Sequence, residues 1–260
     1  MTGRVDREAL KQAVIAERGY WHPLHEGLLA LHPEFLGAYL DFVSGPWKSR
    51  HLEPKVREFI YIAIDASVTH LYDKGLRRHI ERAFDLGATQ QEILQVIELT
   101  CAMGLNTHEQ GISILVEELR KLSPAIDAEI ADLGPEEARI KDEFIAAVGH
   151  WPGCGDALLK LAPDFIRGFL GFRSVAWNGG PLEPKVKEFI GLAINAAPTS
   201  LHEAGVRSHI QRALRCGATG EELSEVLQLA SAIAIHTCTY GVPALVEAAA
   251  RRANPQGDKP

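Results

Sequence analysis

The strongest constraint in this sequence is an internal repeat. Leu52-Glu-Pro-Lys-Val-Arg-Glu-Phe-Ile60 returns as Leu182-Glu-Pro-Lys-Val-Lys-Glu-Phe-Ile190, a shift of 130 positions. The same shift carries His79-Ile80-x-Arg82-Ala83 onto His209-Ile210-x-Arg212-Ala213, and Gly87-Ala88-Thr89-x-x-Glu92 onto Gly217-Ala218-Thr219-x-x-Glu222. Between residues 52 and 118, 31 of 67 positions are identical to their partners. Upstream the match is sparser but keeps register: Gly19 and Trp21 meet Gly149 and Trp151, Leu31-x-Pro33-x-Phe35 meets Leu161-x-Pro163-x-Phe165, and Trp47 meets Trp177. No insertion or deletion is needed. One structural unit is therefore expected twice, with the copies packed together as a pseudo-dimer. The boundaries read as 1–130 and 131–253, followed by a polar tail, 254–260, expected to be disordered.

Each copy reads as helical. Pro54 and Pro184 sit where a helix begins, since proline in the first turn loses no needed N–H. Phe59 to Ile64 is too continuously apolar for a surface helix, so this helix should be buried on most sides. A second helix is expected to end at Gly87 or Gly217, each placed as a C-terminal cap. Thr89-x-x-Glu92 and Thr219-x-x-Glu222 are capping boxes opening a third helix. Alternating β-branched runs around tight turns are missing, so the fold class is all-α.

Composition narrows the function. With Lys+Arg 27 against Asp+Glu 34, the net charge is 27 − 34 = −7, and no basic run offers a nucleic-acid surface. Apolar stretches such as Phe59–Ile64 fall far short of the ~20 residues of a bilayer span. The N-terminus lacks a signal-peptide core, so a cytoplasmic protein is expected. Cys101, Cys154, Cys216 and Cys238 are scattered without a Cys-x-x-Cys pair and read as free thiols.

Three features in each copy could carry chemistry. Glu58 and Glu188 lie early in the apolar helix, where the surroundings would desolvate a carboxylate and raise its pKa; a solvated helix edge is the ordinary alternative. His79 and His209 follow in the next helix, each with an arginine three positions on. Between these helices the copies read Thr69-His70-Leu71-Tyr72-Asp73-Lys74-Gly75 and Thr199-Ser200-Leu201-His202-Glu203-Ala204-Gly205, polar groups just before a helix N-terminus, where anions are favoured. The ordinary reading there is a polar turn. His108 and Glu109 with His70 and His79 would make a metal set in copy one, but their partners are Cys238, Thr239 and Ser200 for the first three, so no metal is expected.

The order Glu-Phe-Ile, apolar helix, turn, then His-x-x-x-Ala-x-x-x-Gly-Ala-Thr-x-x-Glu resembles the carboxymuconolactone decarboxylase and alkyl-hydroperoxidase-D-like superfamily. Gly241-Val242-Pro243-Ala244 is similar to that family's Gly-x-Pro-Ala ending, whereas copy one reads Gly111-Ile112-Ser113-Ile114. In the hydroperoxidase branch a Cys-x-x-Cys pair precedes the histidine; here those positions are Tyr72 and Gly75, or His202 and Gly205. The resemblance thus implies the other branch: a cofactor-independent decarboxylase, or an isomerase, acting on a small carboxylated lactone or ring-cleavage acid of aromatic catabolism. It implies His209 or His79 as proton donor, tuned by Glu188 or Glu58, with His202 making copy two the fuller site. His70, Tyr72 and Tyr240 are the candidates for substrate contact. A homotrimer is the expected assembly. The alternatives are a peroxidase-like, antioxidant activity and a non-catalytic ligand-binding module.

Overall fold

A computed structural model describes residues 5–148 and 151–253; Gly149 and the tail 254–260 lie outside the described residues. The first repeat contains α1 (Arg7–Arg18), α2 (Pro23–Leu31), α3 (Pro33–Ser49), α4 (Pro54–Ala66), α5 (Asp73–Asp85), α6 (Gln90–Cys101) and α7 (Leu105–Leu122). A connecting helix α8 (Ile126–Ala131) leads to the second: α9 (Pro135–Val148), α10 (Gly155–Leu161), α11 (Pro163–Asn178), α12 (Pro184–Ala196), α13 (Glu203–Arg215), α14 (Gly220–Ala232) and α15 (His236–Ala253). No strand occurs among the described residues. The fold is all-α, built from two tandem helical repeats whose elements correspond one to one.

Local signals explain the boundaries. Pro54 and Pro184 occupy the first turns of α4 and α12. In both capping boxes the glutamate accepts the threonine N–H, at 2.7 Å for Glu92 and 2.8 Å for Glu222. Gly87 and Gly217 adopt φ +80° and +82°. The following N–H groups of Ala88 and Ala218 then reach back to the Ala83 and Ala213 carbonyls, a Schellman ending that only a left-handed residue permits.

The chain forms two compact units. In one, α1, α2 and α3 are covered by α15, with Val14, Leu24, Leu28, Leu36 and Leu40 packed against Ile235, Cys238 and Val242. Gly27 faces Val242 so closely that a side chain there would collide with it. The other unit spans His51–Ala230. In it α9, α10 and α11 are covered by α7: Leu105 and Ile112 pack on Ile140, Phe144, Leu158, Leu159 and Ile166. Each repeat's opening helices are thus sealed by the last helix of the other repeat.

Within the larger unit α4 and α12 lie side by side at the centre. Phe59 to Ile64 are all buried, as the unbroken apolar run requires. The equivalent residues Thr69 and Thr199 meet hydroxyl to hydroxyl at 3.3 Å, which places them on the local twofold relating the repeats. Farther along, buried Glu225 of α14 accepts from the His51 amide (2.9 Å) and from Arg57 Nε (2.6 Å) of the first repeat. Reciprocally, Gln95 of α6 accepts the Leu182 amide (2.9 Å) and donates to the Ala176 and Gly179 carbonyls of the second. The repeats are fastened by equivalent residues used in both directions.

The helical run Gly220–Ala253 is long and apolar enough, by length and composition, to cross a membrane. Reading uninterrupted apolar stretches misses it because polar residues are scattered through the run. Its α14 portion buries Leu223, Val226, Leu229 and Ala230.

Candidate functional site

The site in the second repeat is built on the α12–turn–α13 hairpin. Leu201 takes φ +48°, a left-handed conformation that costs a non-glycine residue roughly 1–2 kcal/mol. The turn so formed lets the His202 amide donate to the Asn195 carbonyl at 2.9 Å, pinning the start of α13 to the end of α12. Gly205 then sits so near Asn195 Oδ1 that any Cβ would collide with it. The first repeat repeats the device with Leu71 (φ +45°), the Tyr72 amide on the Asp65 carbonyl (2.9 Å), and Gly75 against the Asp65 carboxyl. The positions where a thiol pair would fall are therefore closely packed backbone, and the four cysteines are free elsewhere.

Packing of the two hairpin helices brings Glu188 and His209 together. His209 Nδ1 lies 2.8 Å from Glu188 Oε2, and Arg212 Nε lies 3.0 Å from both carboxylate oxygens. Arg212 also donates to Ser208 Oγ at 2.7 Å and to the Val148 carbonyl. Burial pushes the Glu188 carboxyl up, but His209 and Arg212 outweigh it and leave it below the ordinary value. Glu188 is therefore a carboxylate, which assigns the proton to His209 Nδ1 and the lone pair to Nε2. Burial, helped by Arg212 and Arg173, lowers His209 to about 4 despite Glu188. Gly191 allows this placement, since a Cβ there would strike the imidazole.

These groups border a cavity of about 60 Å³, roughly the liquid volume of two waters. Arg173 and Trp177 of α11 form one wall, the guanidinium 4.1 Å from the indole centroid. Arg173 donates to the Ala147 carbonyl (2.7 Å), and burial, with Arg212 opposing its charge, lowers its pKa to about 10. The opposite wall comes from the first repeat: Asn106 and Glu109, one turn apart on α7. Asn106 donates to Asn195 Oδ1 at 2.9 Å. Glu109 lies 3.7 Å from His202 Nε2, and burial raises its pKa. His202 Nδ1 accepts the Gly205 N–H at 3.1 Å, so its hydrogen is on Nε2, facing Glu109.

The first repeat holds a related but different cluster. His79 Nδ1 is 2.6 Å from Glu58 Oε2, and Arg82 Nε is 3.0 Å from Glu58 Oε1. Tyr61, the counterpart of Gly191, stacks on His79 at 4.6 Å between centroids. Asp65 replaces Asn195; its carboxyl is fully buried, 3.6 Å from His70 Nε2, and burial raises its pKa to about 8.

The structure brings Glu188, His209 and His202 to one cavity, and Glu58, His79 and His70 to one cluster. Tyr72 is buried at the start of α5, while Tyr240 lies on α15 with 59% of its surface exposed. His108 stacks on Phe165 at 4.1 Å. Sequence reasoning passed over Arg173 and Asn195, took Trp177 only as a repeat match, and saw Glu109 only as a metal ligand; for Arg173, Asn195 and Glu109 the usable signal was the broken symmetry of the repeat, which pairs them with Val43, Asp65 and Thr239.

Comparison with known proteins agrees with this architecture. Residues 33–117 and 163–254 each match the carboxymuconolactone decarboxylase family. A crystal structure from Burkholderia xenovorans LB400, provisionally named a gamma-carboxymuconolactone decarboxylase subunit, is similar at 37% identity with a TM-score of 0.84. The match covers 97% of this chain and 100% of that one. No curated protein matches.

Proposed function

Because this chain belongs to the carboxymuconolactone decarboxylase family, we propose that its second-repeat cavity decarboxylates a small carboxylated lactone or ring-cleavage acid without a cofactor. The observation that carries this reading is Arg173. It is a buried cation beside the cavity, and its lowered pKa expresses a charge short of compensation. A substrate carboxylate, or the oxyanion formed when the electron pair of the broken C–C bond spreads into a lactone carbonyl, would supply the missing counter-charge. Arg212 is committed to Glu188 and so orients His209 rather than substrate. Neutral His209 offers Nε2 as an acceptor to a substrate hydroxyl.

The test is a screen of lactone and ring-cleavage acids with CO₂ release as the readout. Arg173→Ala is expected to raise KM roughly 10–100-fold, the value of a lost charge-assisted hydrogen bond. An unchanged KM would remove Arg173 from substrate recognition. We further propose a homotrimer. Phe35 and Phe42 on α3, and their counterparts Phe165 and Phe172 on α11, are exposed apolar side chains that assembly would cover. Light scattering is expected to give three chains, and a clean monomer would refute it.

A further inference from the structure

A decarboxylation that ends in a new C–H bond needs a proton donor, and His209 is an unfavourable one: burial lowers its pKa to about 4, and its Nδ1 is directed to Glu188 at 2.8 Å. We propose that Glu109, supplied to the second-repeat cavity by α7 of the first repeat, is the acid that protonates the reacting carbon. The inference rests on that cavity being the reacting site.

Geometry supports it in three ways. Glu109 lines the cavity, with its carboxyl largely shielded from solvent at 11% side-chain exposure. Its position is fixed from the backbone, because the Cys154 thiol donates to the Glu109 carbonyl at 3.3 Å, and Asn106 one turn earlier is tied to Asn195. Among the described residues no cation is placed within hydrogen-bonding range to hold it ionised: the hydrogen on His202 Nε2 points toward it from 3.7 Å, beyond a normal hydrogen bond. The other charged or titratable groups around the cavity are Arg173, Arg212, His209 and Glu188, with Cys154 behind the carboxyl. Of these, the arginines are engaged by Ala147 and Glu188. Burial accordingly keeps Glu109 protonated to higher pH than an ordinary glutamate.

The step balances without a co-reactant. The C–C bond to the carboxylate breaks, CO₂ departs, and the bonding pair passes into the conjugated carbonyl. That pair then forms the C–H bond with the Glu109 proton, leaving a Glu109 carboxylate that water reprotonates. Thr239, on α15 of the second repeat, is the counterpart of Glu109 and cannot act in this way.

The experiment has two arms on the full-length protein. Infrared difference spectra of wild type against Glu109→Gln, taken along a pH series, are expected to show a protonated-carboxyl band that persists to higher pH than an ordinary glutamate's and is lost in the variant, with Asp65→Asn identifying the band of the other buried acid. With an acid found in the CO₂ screen, Glu109→Gln is expected to lower kcat at least 100-fold with KM within twofold, and Glu109→Asp to restore part of it. An ionised Glu109, or an unchanged kcat in Glu109→Gln, overturns the proposal. If no acid is decarboxylated by wild type while the Glu109 band is present, the decarboxylase reading fails and the assignment of Glu109 as the cavity's proton-bearing group stands.

Discussion

Asp65 occupies a position where the other repeat has an uncharged amide, and the difference has a thermodynamic cost. Its carboxyl ionises near 8 in the folded protein against an ordinary value of 3.8, so between these limits the native state binds the extra proton. Stability must then fall as pH rises from about 4 to 8. Asp65→Asn, which copies Asn195, is expected to be neutral at pH 4 and to stabilise by several kcal/mol at pH 8, at about 1.4 kcal/mol per unit. Urea titrations at the two pH values check this, and a gain of equal size at both would exclude titration as the cause. His209 works in the opposite sense: lowered to about 4, it contributes stability that is lost as pH falls below 6.5. At this scale Glu58, Glu188, His79 and His209 were legible because the repeat printed them twice. Arg173, Glu109 and Asp65 were not, since each is present in one copy and gains its meaning only from neighbours remote in sequence.

The hairpin of α12, turn and α13 has little room to vary. Gly205→Ala would drive a methyl group into Asn195 Oδ1, displacing the residue that Asn106 holds. A loss of roughly 2–3 kcal/mol is expected, in the range of overpacking within a well-filled core, with a disturbed cavity. Thermal denaturation beside Gly217→Ala, where space is open but φ is +82°, would separate collision from backbone strain. Helix ends were readable because proline starts, capping boxes and Schellman glycines act over four to six residues. The continuous run Gly220–Ala253 was not, because its apolar character is spread across two helices and a 3₁₀ turn. Nor did any local signal say that α7 closes the second repeat's helices and α15 the first's, since that choice is made by packing.

At the scale of the whole molecule, duplication has become interdependence. Glu225 accepts amides and a guanidinium from the other repeat, and Glu225→Ala would leave Arg57 buried without its carboxylate. A cost of about 3–5 kcal/mol is expected for breaking such a pair. Equilibrium unfolding should register that loss as a shift of the whole transition; a mid-transition plateau would mean that the repeats come apart before they unfold.

The exchange of last helices also dictates an order in time. The apolar faces of α1, α2 and α3 are finished near residue 50, but the helix that covers them begins at His236. At a synthesis speed of about 5–20 residues per second, those faces wait on the order of 10–40 seconds for their partner. During that interval the nascent chain carries exposed hydrophobic helices next to the ribosome. Its yield in a cell will therefore depend on what shields them until α15 has been made.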